Sequence, residues 1–280
     1  MRRFTEGGAS VLKGRTRAFG AWTSLGHPSI TEVFTTAGVD FVGIDLEHST
    51  ISQDQAQRII AASHAGGIAC LPRVASHNGE QIKQLLDSGA DGVIVPTVSA
   101  PEELERIVAW SKYPPVGRRS YGVARAQGYG VGFDAYTSSW NARSTIIIQI
   151  ETIEGVKAVD DLVAHPSVDG AMVGPYDLSG SVGMPGRLSA PRVTQACARV
   201  VEACRRYGKA CGTQLVEPTG ASVNRAIEQG YTFLVLASDV FLLWKWSERM
   251  RALIDLSRGR KPRGSHGQEP RARVRTAVVG

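Results

Sequence analysis

No apolar run in this 280-residue chain approaches the roughly 20 residues that a membrane-spanning helix needs. The basic start, Met1-Arg2-Arg3, has no apolar stretch behind it, so no secretory signal is expected. Cysteine is sparse, and Cys70, Cys197, Cys204 and Cys211 lack the close spacing of a zinc site. Such thiols suit a reducing cytoplasm better than a disulfide framework. The first strand-to-helix turn carries no glycine-rich phosphate fingerprint, which weakens any dinucleotide-binding reading.

A net charge of +6 suggests an anionic partner until it is located. Residues 258–280 hold Arg258, Arg260, Lys261, Arg263, Arg271, Arg273 and Arg275 against one acid, Glu269. The rest of the chain therefore sums to zero. We expect an N-terminal extension over 1–14, one domain over 15–257 and a disordered basic tail over 258–280. A tail of this kind adds only non-specific phosphate attraction, so no nucleic-acid partner is expected.

Eight short apolar runs punctuate the body, at 19–25, 41–46, 69–74, 92–95, 145–150, 170–173, 210–215 and 233–236. They are continuous rather than alternating, which predicts parallel strands buried on both faces. Helix signals lie between them. Pro28 opens one helix and Gly38 follows its end; Ser99 and Glu102 read as a capping box around Pro101; Ile82, Leu85 and Leu86 form a stripe closed by Gly89; Pro218 opens another. Eight strand-then-helix units predict a (β/α)₈ TIM barrel, with a doubly wound open sheet as the alternative. The long irregular segment is 113–139, between the fourth and fifth strands. The last helix, about 240–256, carries Phe241, Leu242, Leu243, Trp244 and Trp246 around more than one face, a pattern that fits burial against a partner subunit.

In such a barrel, polar residues at the carboxyl ends of strands form the active site. Strand two ends in Asp45-Leu46-Glu47-His48, strand three in Pro72-Arg73, strand five in Gln149-Ile150-Glu151, and strand six runs into Gly174-Pro175-Tyr176-Asp177. Glu151 and Asp177 converge as two costly carboxylates, and a divalent cation is the simplest way to neutralise them. The alternative is that both bond backbone amides. His48 is a candidate general base with Asp45 placed to orient its ring, or else a cap bonded to backbone. Arg73 is a clamp for a carboxylate or keto oxygen, or else an ion pair with Asp45 or Glu47. Gln149 is a substrate contact or an interior polar residue. The Gly174–Asp177 turn offers backbone donors to an anion. None of the seven lysines ends a strand, which removes the desolvated amine of a Schiff-base mechanism.

Together these residues resemble the HpcH/HpaI aldolase family of metal-dependent pyruvate aldolases. The matching runs are Gly38-Val39-Asp40-Phe41-Val42-Gly43-Ile44-Asp45-Leu46-Glu47-His48, Leu71-Pro72-Arg73-Val74, Tyr113-Pro114-Pro115-Val116-Gly117-Arg118-Arg119, Gln149-Ile150-Glu151-Thr152 and Val168-Asp169-Gly170-Ala171-Met172-Val173-Gly174-Pro175-Tyr176-Asp177-Leu178-Ser179. The resemblance implies that His48 is the base and Arg73 the residue that steadies an enolate. It implies that Glu151 and Asp177 ligate Mg²⁺, Mn²⁺ or Co²⁺, and that Gln149 neighbours bound pyruvate. It also implies that Asp87 reaches a neighbouring subunit's site, in a hexamer of dimers that exchange the last helix. Gly117-Arg118-Arg119-Ser120-Tyr121-Gly122 and Tyr176 depart from the family pattern and leave the acceptor aldehyde open. The expected reaction is cleavage or formation of a 4-hydroxy-2-oxo acid. Decarboxylation of oxaloacetate, lyase action on a CoA thioester and a catalytically silent binding module are the alternatives.

Overall fold

Strands covered on both sides must close on themselves or be covered by helices, and here they do both. The computed structural model describes Leu12 and residues 17–260. Eight parallel strands form a closed barrel in sequence order: β1 (Ala18–Thr23), β2 (Phe41–Asp45), β3 (Ala69–Arg73), β4 (Gly92–Val95), β5 (Thr145–Ile150), β6 (Gly170–Val173), β7 (Ala210–Leu215) and β8 (Phe233–Ser238). The helices between them are α1 (Pro28–Thr35), α2 (Gln53–Ala65), α3 (Gly79–Asp87), α4 (Pro101–Ser111), α5 (Phe133–Arg143), α6 (Ile153–Ala164), α7 (Pro175–Ser181), α8 (Pro191–Arg206) and α9 (Gly220–Glu228), with α10 (Asp239–Ser257) last. The (β/α)₈ expectation holds and the open sheet is excluded. The chain divides into two compact units, 1–241 and 242–280, and α10 runs across the division.

Two apolar layers explain the unbroken runs. Inside the barrel, Trp22, Phe41, Leu71, Ile94, Ile147, Met172, Phe233 and Val235 pack together, with Leu12 among them. Outside, Val42, Ile44, Val93, Ile146 and Ile148 meet the helix residues Ile59, Ile60, Leu85, Ile107 and Val159. Large rings fit the narrow interior because glycine faces them. A Cβ on Gly43 would stand 2.3 Å from Trp22, and one on Gly20 2.4 Å from Phe41.

Some expected ends move. The N-cap of α4 is Ala100, not Ser99, and Glu103 rather than Glu102 reaches back to the Ser99 and Ala100 amides, at 2.8 and 3.1 Å. Ser99 instead bonds the Thr152 hydroxyl. Thr219 caps α9 from its side chain, so Pro218 lies before the helix rather than inside its first turn. The segment 113–139 is not wholly irregular: a 3₁₀ turn forms at Arg125–Gln127 and α5 begins at Phe133. Residues 1–11, 13–16 and 261–280, and with them most of the N-terminal extension and basic tail, lie outside the described residues.

Candidate active site

Asp45 and Arg73 are register partners at the carboxyl ends of β2 and β3, so closure of the barrel sets them side by side. Asp45 Oδ1 accepts from Arg73 Nε at 3.2 Å and Nη2 at 2.8 Å. Arg73 Nη1 stands 3.0 Å from Glu47 Oε2. The ion-pair alternative for Arg73 is thus realised with both acids, and its guanidinium lies over the Trp22 ring, 5.1 Å from the centroid. Burial pushes the Asp45 pKa up, but Arg73, the His48 amide and the Trp22 indole outweigh it and hold the carboxyl below its ordinary range.

The expected contact between Asp45 and the His48 ring does not form. Asp45 Oδ1 takes the backbone N–H groups of Glu47 and His48, at 3.2 and 3.1 Å, because the chain turns back sharply after β2. Those bonds shape the loop that carries the imidazole. The ring itself is 67% exposed, with Nε2 3.7 Å from Glu47 Oε2.

A second cluster surrounds Glu151, just past β5. Its Oε2 accepts from Thr97 N at 3.0 Å and Thr97 Oγ1 at 3.1 Å, and its Oε1 from Gln149 Nε2 at 3.1 Å. Thr97 adopts φ 52°, a left-handed backbone that costs energy in a threonine and aims its amide at this carboxylate. Gly174 must be glycine here, since a Cβ would lie 2.6 Å from Glu151 Oε1. Burial, with repulsion from Glu47 and Asp177, raises the Glu151 pKa against the Thr97 donors. Burial also raises that of Glu47; Arg73 and His48 oppose the rise, and Asp45 and Asp177 add to it.

Asp177 and Tyr176 lie in the first turn of α7, whose opening amides have no partner within the helix. Both side chains are exposed. Asp87 is not brought to this mouth. It ends α3, at the opposite end of the barrel, and Arg119 Nη2 pairs with it at 2.7 Å.

The mouth therefore gathers Asp45, Glu47, Glu151 and Asp177 against the Arg73 guanidinium, an excess of negative charge that a small cation would relieve. Gln149 Oε1 is buried without a hydrogen-bond donor. Among the described residues no cluster of three His, Cys, Asp or Glu side chains forms a closed metal cage. A two-carboxylate site completed by substrate and water fits these residues. Trp22, Glu47 and Thr97 were not singled out as site residues by sequence. Trp22 lies within the first apolar run, and nothing in a sequence marks a left-handed threonine.

A closed parallel barrel with acids, an arginine and a histidine at the carboxyl ends of its strands has the arrangement of a barrel-enzyme active site. The family model for HpcH/HpaI aldolase/citrate lyase matches residues 18–245. A hydroxypyruvate/pyruvate aldolase of Paraburkholderia phytofirmans is 34% identical over 261 residues, covering 90% of this chain and 98% of that protein. A 5-keto-4-deoxy-D-glucarate aldolase of Salmonella paratyphi C is 36% identical over 232 residues, 82% of this chain and 90% of its own length. The crystal structure of an HpcH/HpaI aldolase/citrate lyase family protein from Burkholderia cenocepacia superposes with a TM-score of 0.81 at 30% identity, covering 88% of this chain and 97% of that one. This chain belongs to the HpcH/HpaI aldolase/citrate lyase family.

Proposed function

We propose that this protein is a divalent-metal-dependent aldolase that cleaves, and in reverse forms, 4-hydroxy-2-oxo acids by way of pyruvate enolate. The observation that carries the reading is the ion-paired cluster of Arg73 with Asp45 and Glu47, beside a buried Glu151 held by Thr97 and Gln149, at the mouth of an aldolase-family barrel. Glu151 and Asp177 would hold Mg²⁺, Mn²⁺ or Co²⁺, which when bound polarises the 2-oxo group as a Lewis acid. The first-turn amides after Gly174, those of Tyr176 and Asp177, bind the substrate carboxylate. Gln149 keeps Glu151 Oε1 in place through its amide nitrogen and leaves its own Oε1 to a substrate or water donor. His48, directly or through water, takes the proton of the C4 hydroxyl. As the C3–C4 bond breaks, its electrons pass to the oxo acid. Arg73, held by Asp45 and Glu47, faces the charge as it develops, where a preorganised donor lowers the barrier most.

The working enzyme on this reading is a homo-oligomer, a hexamer built from dimers that exchange the last helix, and it acts in the cytoplasm. In support, Leu242, Leu243, Trp244, Trp246, Met250, Leu253, Ile254 and Leu256 of α10 are all exposed in the single chain. Asp87, remote from its own barrel mouth, then contributes to a neighbour's site.

The test is a metal-stripped enzyme, reloaded with manganese and screened with pyruvate against diverse aldehydes by mass spectrometry. Adducts that appear only with metal support the reading. Oxaloacetate in the same assay reads decarboxylation. Equal adduct formation with and without chelator would end the metal assignment, and no adduct with any aldehyde would end the aldolase one.

A further inference from the structure

Trp22 is 2% exposed, and by burial alone it is a core residue. Its contacts place it elsewhere. The Arg73 guanidinium carbon sits 5.1 Å from its ring centre, within the range where a cation is held by an aromatic face. That guanidinium also gives both Nε and Nη2 to Asp45, at 3.2 and 2.8 Å, so the ring lies under one half of an ion pair. One aromatic face thus backs the cation of the Arg73–Asp45 pair.

The indole is itself held from two directions. Trp22 pairs in register with Gly43, two residues before Asp45, and any Cβ there would come within 2.3 Å of its ring. Just after Trp22, Thr23 Oγ1, Ser24 N and Leu25 N donate to Asp239, which follows β8 and begins α10, at 2.7, 2.9 and 3.0 Å. These bonds tie the end of β1 to β8.

We infer that Trp22 is a positioning residue: its ring face sets the place of Arg73, so that the guanidinium meets the charge developing on the bound oxo acid. This rests on the aldolase reading above. A misplacement of about 1 Å at a reacting centre can cost on the order of 10²-fold in rate. Trp22→Leu, with metal bound, should therefore lower kcat by about 10- to 100-fold while KM for the oxo acid stays within about threefold. Trp22→Phe, which keeps an aromatic face under the cation, should recover most of that loss. Gly43→Ala, which displaces the indole without removing it, should show the same kcat loss as the leucine variant.

A direct readout accompanies the kinetics: the ¹⁵N Nε–H resonance of Arg73, assigned by its loss in Arg73→Lys. The indole ring current should shift this signal in the native protein, and Trp22→Leu should move it further than Trp22→Phe does. If melting temperatures fall while kcat and the Arg73 resonance match the native protein in Trp22→Leu and Gly43→Ala, Trp22 is structural and the inference is wrong. Should the leucine variant not fold, the phenylalanine and Gly43→Ala proteins decide it. If the native enzyme cleaves no oxo acid, the aldolase reading fails by itself, and the resonance alone reports whether Trp22 orders Arg73.

Discussion

Glu151 carries the sharpest consequence at the scale of single residues. An acid whose native pKa is raised keeps its proton to higher pH in the folded state than in the unfolded one. The native state then binds more protons, and stability falls as pH rises through that window. The window opens near the ordinary value of 4.5 and extends upward, and Glu47 acts in the same direction. Metal-free protein should therefore lose stability as pH rises above about 4.5, and manganese should reduce that loss. A scanning fluorimetry series with and without chelator checks this. For the base, His48→Ala should slow turnover by about 10²- to 10⁴-fold. Manganese affinity by titration calorimetry should stay native, because His48 touches Glu47 and neither proposed ligand. Native turnover in that variant would remove His48 from the mechanism. These residues were legible one at a time, as polar side chains at strand ends. Their partners were not: Asp45 three residues before His48 suggests a ring contact, yet the tight turn gives the acid to the backbone.

At the scale of elements, the informative piece is the chain between α4 and α5. Arg119 is buried between Tyr113 and Trp140, 4.7 Å from each ring centre, and donates to Tyr136 Oη at 3.1 Å. With its pair to Asp87, this stack fastens the 113–122 segment and α5 to the end of α3. Arg119→Met removes the cation but keeps much of the volume. It should cost about 3 kcal/mol, because it strips the partner from a half-buried acid. Urea unfolding measures the loss, and a change below about 0.5 kcal/mol would show that the aromatics alone hold the segment. Sequence reading treated this stretch as a loop because Pro114, Pro115 and the glycines dominate it. The helix beginning at Phe133 has few apolar residues at regular spacing, so periodicity did not mark it. The caps of α4 and α9 moved for a related reason. Ser99, Glu102 and Glu103 all carry capping chemistry, and packing against the Thr152 hydroxyl chose among them.

Across the whole molecule, the exposed apolar residues of α10 predict self-association. Replacing Leu243 and Trp246 with glutamate should reduce the particle mass in light scattering toward the 30.0 kDa of one chain. If it does not, another surface joins the copies. Activity should fall with the mass, since Asp87 is proposed to serve a neighbour's mouth. By itself, the sequence determined the eight strands, their parallel order and the acids, histidine and arginine at strand ends. Those are local patterns: runs buried on both faces, polar residues where the runs stop, and a family resemblance spread along them. Only the tertiary structure decided which of these groups meet. The Arg73–Asp45 pair joins residues 28 apart and the Thr97–Glu151 bond residues 54 apart. Trp22 joined the site because strand register set it opposite Gly43 and under Arg73. Such contacts depend on register and barrel closure, which no short stretch of chain contains.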